Sequence, residues 1–241
     1  MKLIIVGLGG IGSHLLLPLM QYINYEQKVF AEVWFIDGDT YEEKNFKRQH
    51  VAKNKENKAL AQMDYYKEIF PKLTISYVDK YVNEDNISRI VKDGDVVLLC
   101  VDNNKTRKLF EDYTDKLKNI TIISGGNELY DGNIMIMQKK DEQMLTRKFS
   151  ELHPELKNPT DKSPDEMSCE ELEESAPQIG LVNATVADLM RRTLYAMISG
   201  RGINYDEIFV NCNTGMEKAN TIPEIINRLQ IQNEITIHGE D

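Results

Sequence analysis

Cysteine is scarce in this 241-residue chain: Cys100, Cys169 and Cys212 are widely spaced, and no two have C-x-x-C spacing. That excludes a disulfide framework and a cysteine-based zinc site, so no zinc is expected, and it fits a reducing cytoplasm. Basic charge is also short. With 29 Lys and Arg against 39 Asp and Glu the formal charge is −10, which argues against a nonspecific grip on nucleic acid or anionic lipid. A few local cations and backbone N–H groups suffice for one nucleotide, so phosphate binding stays open. Long apolar runs are missing too. Residues 1–20 superficially resemble a signal peptide or membrane span, yet they hold four glycines, a serine, a histidine and a proline, with no small-residue cleavage site following. Neither nucleic acid nor membrane is expected as a partner, and the expected location is cytoplasmic.

What is present is an apolar fraction of 41%, enough for a real core. Short apolar runs alternate with helical spacing along the first 140 residues. Strands are expected at 2–6, 32–36, 74–78, 95–101, 121–124 and 133–138, the last reached by a tight turn at 130–132. Helices are expected at 13–22, with a kink at Pro18, and at 55–70, 87–92 and 106–117. Such alternation predicts an α/β fold, Rossmann-like, with a mostly parallel sheet, helices on both faces and a few antiparallel C-terminal strands. From about 139 to 177 the composition turns acidic and proline-rich, with Pro154, Pro159, Pro164 and Pro177, which reads as a long mobile loop. An apolar helix is expected at 179–198 and a strand at 208–212. A short helix from Thr221 and a strand at 235–238 follow. No internal repeat or second core-sized segment is evident, so residues 1–241 read as one domain.

Gly7-Leu8-Gly9-Gly10-Ile11-Gly12 satisfies G-x-G-x-x-G directly between a strand and a helix. Glycines let the backbone turn sharply and approach a phosphate, and a helix N-terminus offers free N–H groups at its positive end. Gly7, Gly9, Gly10 and Gly12 are therefore candidate nucleotide-binding positions. Asp37, ending the second strand, can accept hydrogen bonds from a ribose hydroxyl pair, which suits NAD as well as ATP. Downstream, Asp37-Gly38-Asp39 is followed by Asn45-Phe46-Lys47-Arg48-Gln49 and by Lys58-Ala59 opening a helix. A dehydrogenase has no chemical need for that polar cluster. A triphosphate does: Arg48 can fork onto phosphate oxygens and Lys58 can neutralise a leaving pyrophosphate. Cys100 and Cys212 lie in strand patterns and read as core residues.

In this order and spacing, GLGGIGS at 7–13, DGD at 37–39, NFKRQ at 45–49, KA at 58–59, VDNNKTR at 101–107 and SGG at 124–126 resemble the ThiF/MoeB family, which includes the adenylation domains of ubiquitin-activating enzymes. Ser168-Cys169-Glu170-Glu171 and the helix after Gln178 look like the crossover loop and following helix of stand-alone members. The resemblance implies an ATP-dependent adenylyltransferase. A substrate carboxylate, usually the C-terminal glycine of a ubiquitin-like or sulfur-carrier protein, would attack the α-phosphate and form an acyl-adenylate with release of pyrophosphate. It further implies that Asp37 holds the ribose, Arg48 and Lys58 the phosphates, Asp102 a Mg²⁺ ion, and that Asp39, Asn45 and Gln49 complete the polar wall. A homodimer through the helix at 179–198 is implied as well. Cys169 has two readings: a thiol that takes the acyl group as a thioester, or an inert loop cysteine whose neighbours Glu166, Glu170 and Glu171 blunt its reactivity.

The chain departs from the family in three places. It shows no counterpart of the helix, ahead of the first strand, whose arginine reaches a partner subunit's ATP site. The stretch from Gln49 to Lys58 is shorter than usual, and the zinc-binding cysteine pairs are missing. The missing arginine leaves a non-catalytic nucleotide-binding partner protein as an alternative reading, and the glycine turn with Asp37 leaves a NAD-dependent oxidoreductase as another.

Overall fold

The computed structural model of the protein describes residues 1–26, 29–43, 45, 49, 55–162 and 180–222. In chain order its elements are β1 (Lys2–Val6), α1 (Gly10–Tyr25), β2 (Glu32–Ile36), α2 (Lys58–Ile69), β3 (Ile75–Val78), α3 (Ile87–Ile90), β4 (Val96–Leu99) and α4 (Asn104–Thr114). After them come β5 (Ile120–Asn127), β6 (Asp131–Lys140), β7 (Gln143–Met144), α5 (Phe149–Leu152), a 3-10 turn (Pro154–Lys157), α6 (Gly180–Ile198), β8 (Tyr205–Asn211) and β9 (Met216–Thr221).

The described strands make one sheet of nine, ordered β3-β2-β1-β4-β5-β6-β8-β9, with β7 beside β6. The first five in that order are parallel, and β6 to β9 are antiparallel to their neighbours. Successive side chains of a strand point to opposite faces, and in β1 both faces are buried. Leu3 and Ile5 enter a core built with α1, α2 and α6, whereas Ile4 and Val6 enter a second core with α3, α4 and α5. This is why LIIV and VVLL read as unbroken apolar runs. From β1 the chain moves to β2 on one side and later returns to β4 on the other. In such sheets the crevice beyond the carboxyl ends at this reversal is where ligands bind.

The α/β expectation holds, with some shifted details. Helix α1 begins at Gly10, inside the glycine turn, and spans Pro18. Proline has no N–H to give to the carbonyl four residues back; Arg191 on α6 donates to that His14 oxygen instead, at 2.8 Å. The tight turn lies earlier than expected. Glu128 N–H bonds to the Asp131 carbonyl at 2.8 Å, and Asp131 and Gly132 already belong to β6.

The expectation of loop from 139 to 177 needs correction over its first part. β7, α5 and the 3-10 turn occupy residues between 143 and 157, and buried Phe149 and Leu156 dock them on the second core. Two large apolar side chains are enough because polar groups fix the backbone around them. Buried Glu111 on α4 accepts the Ser150 N–H at 2.7 Å. Arg147 holds the fully buried carboxylate of Asp206 on β8 through Nε and Nη2, both at 2.7 Å. Strand β9 was not expected. Its sequence MEKANT has no alternation, and it is an exposed edge carrying charged residues, which protect an edge from further pairing. The expected segments beyond Ile222 lie outside the described residues. Cys100 is buried as expected, while Cys212 lies just past β8 and is only half-buried. Among the described residues no helix is long and apolar enough to cross a membrane.

Candidate active site

A cleft of about 770 Å³ opens at the carboxyl ends of β1, β2 and β4. Its floor is the glycine turn. Gly7 takes φ +86°, a left-handed backbone that favours glycine, and a Cβ there would lie 2.7 Å from the Cys100 carbonyl oxygen. A Cβ on Gly12 would fall 2.1 Å from the Gly7 oxygen, so the turn closes only with glycine at that position. Helix α1 starts with no side-chain cap and no acidic residue in its first turn, leaving its N–H groups to face the cleft. On the other side of the turn Asn183 of α6 presses on Gly10, where a Cβ would approach its amide to 2.4 Å.

Asp37 is buried at the end of β2. Its Oδ2 accepts the Leu8 N–H at 2.6 Å and its Oδ1 the Asp39 N–H at 2.8 Å. Burial pushes this carboxyl above its usual range, while the nearby Lys58 charge pulls it back. Each oxygen keeps a free lone pair for a further donor. Asp39 stands differently. Its Oδ2 takes the Lys58 ammonium at 2.9 Å and its Oδ1 takes the Tyr81 hydroxyl, so Asp39 acts on Lys58 more directly than on any ligand. Lys58 is 5% exposed and has two further N–H donors. Tyr81 also lays its ring over Gly38, where a Cβ would lie 2.7 Å away.

Asn57 caps α2 by accepting the Leu60 N–H at 3.0 Å, and its Nδ2 donates to the carbonyls of Asp37 and Asp39 at 2.8 and 3.0 Å. One side chain thus ties the acidic turn to the helix that carries Lys58. Asn57→Ala is expected to cost about 1–2 kcal/mol of stability, as loss of a helix cap does. A urea titration of the variant checks this.

Asn45 and Gln49 also line the cleft. Asn45 is buried, with its Oδ1 accepting the Glu42 N–H at 2.9 Å, and Gln49 lies beside Gly9, with its Oε1 buried and without a partner among the described residues. Asp102 is exposed in the cleft just beyond β4. Two expected residues, Arg48 and Cys169, lie outside the described residues.

Several site residues were not singled out beforehand. Arg107 is buried beneath the cleft, and its Nη1 donates to Asn104 Oδ1 at 2.8 Å. Its Nη2 reaches the Val101 carbonyl at 2.8 Å and the Gly125 carbonyl at 3.3 Å. Burial lowers its pKa, and the charges of Asp102 and Asp161 oppose that shift. The motif VDNNKTR already contained it. No sequence signal pointed to Tyr81 or to His153 at the far wall. His153 faces Glu207 through Nε2 and Glu155 through Nδ1, the latter at 3.2 Å. The hydrogen bond to Glu207 raises its pKa above the ordinary 6.5, with burial opposing and Glu155 assisting. A raised histidine adds stability that is complete below its free value and fades as pH climbs through the native one. His153→Gln should therefore cost more at pH 6 than at pH 9 in urea midpoints; an equal cost at both would leave the pair without a charge contribution.

With this geometry in view, the comparisons are decisive for family. A profile of the ThiF family matches residues 1–236. The chain belongs to the ThiF family. Among its relatives is the adenylyltransferase and sulfurtransferase UBA4 of Candida albicans, 29% identical over 190 residues, covering 77% of this chain and 40% of that protein. Another is the molybdopterin-synthase adenylyltransferase of Haemophilus influenzae, 24% identical and covering 77% of this chain and 71% of that one. The match of this ThiF-family chain thus covers less than half the length of that UBA4 protein. In fold it is similar to the crystal structure of E. coli MccB with ATP, at a TM-score of 0.67 with 16% identity, over 92% of this chain and 63% of that one. The Rossmann-like expectation for the fold is met by this likeness.

Proposed function

We propose that this ThiF-family chain binds Mg-ATP in the cleft and adenylylates a carboxylate, the C-terminal glycine of a ubiquitin-like or sulfur-carrier protein, with release of pyrophosphate. The observation that carries the reading is convergence. Asp37, Asn45, Gln49, Lys58 and Asp102 come from four separate stretches and line one cleft around the glycine turn. Asp37 is placed to take ribose hydroxyls on its free lone pairs, and Lys58 to offer its two remaining donors to phosphate oxygens. Arg48, between two cleft-lining residues in sequence, is assigned to the phosphates on the family pattern. An exposed Asp102 carboxylate suits Mg²⁺, which is commonly held by one or two carboxylates together with substrate phosphates. That ion would supply neutralisation of charge on the phosphates. What the protein's own side chains do is orient the nucleotide and balance its charge, with no covalent step needed for the adenylate.

Three accompanying parts belong to the same reading. Cys169 is the candidate acceptor of a later thioester. A second copy of the chain is placed against α1 and α6, where Leu17, Tyr25, Leu181 and Tyr195 are exposed. The one shared sheet supports treating the chain as a single adenylation domain, and the free thiols of Cys100 and Cys212 fit a cytoplasmic setting.

The test is incubation with Mg-ATP and candidate carrier proteins, followed by pyrophosphate measurement and mass spectrometry of the carrier. Pyrophosphate and a carrier adenylate are expected. Thermal protection by NADH and not by Mg-ATP would move the chain to oxidoreductases. Protection by Mg-ATP with no pyrophosphate from any carboxylate would make it a non-catalytic binding module.

A further inference from the structure

Two residues that line the cleft, Asn103 and Asn127, each carry a buried amide Nδ2 with no hydrogen-bond partner among the described residues. A buried donor left without an acceptor is destabilising, so such groups call for an explanation. Asn103 is 4% exposed and stands at the start of α4, where its Oδ1 accepts the Thr106 N–H at 2.8 Å. That bond fixes the amide's orientation and leaves Nδ2 as the unused end. Asn127 ends β5, across the cleft wall. The two are linked by Arg107. Its guanidinium holds the carbonyls of Val101 and Gly125, each two residues before one of the asparagines. At Gly126, beside Asn127, a Cβ would sit 3.1 Å from Arg107 Nη2 and 2.9 Å from Asn133 Oδ1, so a side chain there would have to push these groups aside.

We propose that Asn103 and Asn127 form the seat for the acyl oxygen of the substrate carboxylate, a role that rests on the adenylylation reading. One carboxylate oxygen attacks the α-phosphorus. The new O–P bond forms as the bond to pyrophosphate breaks, and pyrophosphate leaves with the electron pair. The other oxygen stays on carbon throughout, first as half of a carboxylate and then as the carbonyl of the acyl-adenylate. Two N–H donors match this oxygen at every stage, because it accepts hydrogen bonds and never donates. Neutral donors also suit a group whose charge falls during the step. The nearby cation, Arg107, faces Asp102 and Asp161 and acts here by holding the two backbone stretches in register. A nucleotide phosphate oxygen has the same acceptor chemistry, and the test separates the two.

The experiment is calorimetric titration of the whole chain with two probes: Mg-ATP, and glycyl-sulfamoyl-adenosine, a stable adenylate mimic that carries the acyl carbonyl. Asn103→Ser keeps an oxygen to cap α4 but has no amide to reach the seat, and Asn127→Ala removes the second donor. Each variant is expected to bind the mimic about tenfold more weakly, a loss of about 1.4 kcal/mol, and Mg-ATP within about twofold of the parent. Equal loss for both probes would assign the amides to the phosphate and overturn the proposal, as would unchanged binding of the mimic. If Asn103→Ser melts early, Asn127→Ala decides alone. A parent chain that binds neither probe would instead remove the adenylylation reading itself.

Discussion

Asp102→Ala should lose ATP–pyrophosphate exchange by roughly 10²–10³-fold, the scale set by removing one positioned electrostatic contact to a reacting centre, while the protein stays folded. The two halves of this expectation come from different facts. Asp102 is exposed and lies beyond the end of β4, so its removal leaves no buried gap. Its oxygens accept no hydrogen bond from another described residue, in contrast to those of Asp37 and Asp39, which are engaged with Leu8, Lys58, Tyr81 and the Asp39 backbone. Exchange kinetics with a carboxylate substrate, and a melting curve beside them, check both halves. Exchange at the parental rate would move the metal to another ligand and leave Asp102 as a surface residue.

Arg147→Ala is expected to cost about 3–5 kcal/mol, because it strands a buried carboxylate without its counter-charge. Asp206 is fully buried on β8 and takes both a forked guanidinium and the Arg147 N–H, the latter at 3.3 Å. For a chain of this length the loss corresponds to a fall in Tm of roughly 10 °C. The cost comes from the orphaned charge rather than from the missing side chain, so adding Asp206→Asn to the variant should restore part of it. Calorimetric melting of the single and double variants tests this. A single variant that melts within a degree or two of the parent would mean water reaches Asp206 once the arginine is gone.

That ion pair also explains where sequence reasoning stopped. The strands of the parallel half were legible because burial on both faces makes them continuous apolar runs, as in β1 and β4. The glycine turn was legible because its geometry tolerates so few other residues at Gly7 and Gly12. The region after β6 was not. Its order comes from contacts distant in sequence, Arg147 with Asp206 and Glu111 with Ser150, and composition carries no trace of such pairs. β9 escaped for a related reason, since an edge strand is held by β8 through backbone bonds and needs no apolar pattern of its own. In the site, the motif residues were visible as an ordered set, yet the division of labour among them was not. Asp37 and Asp39 look alike in the chain, and only their partners show that one braces the glycine turn while the other tethers Lys58. The far wall with His153 and Glu207 joins residues 54 apart in sequence and had no local signature.

The Arg191 bond to the His14 carbonyl bears on how α1 would respond to engineering. A proline inside a helix normally carries a penalty of about 3 kcal/mol relative to alanine, and Pro18 invites replacement on that ground. Here the vacated acceptor has already been claimed by a neighbouring helix, so a restored N–H and the guanidinium would have to share one oxygen. Repairing the local ladder would loosen a crosslink between two helices, and the net gain should fall well short of what propensity alone suggests.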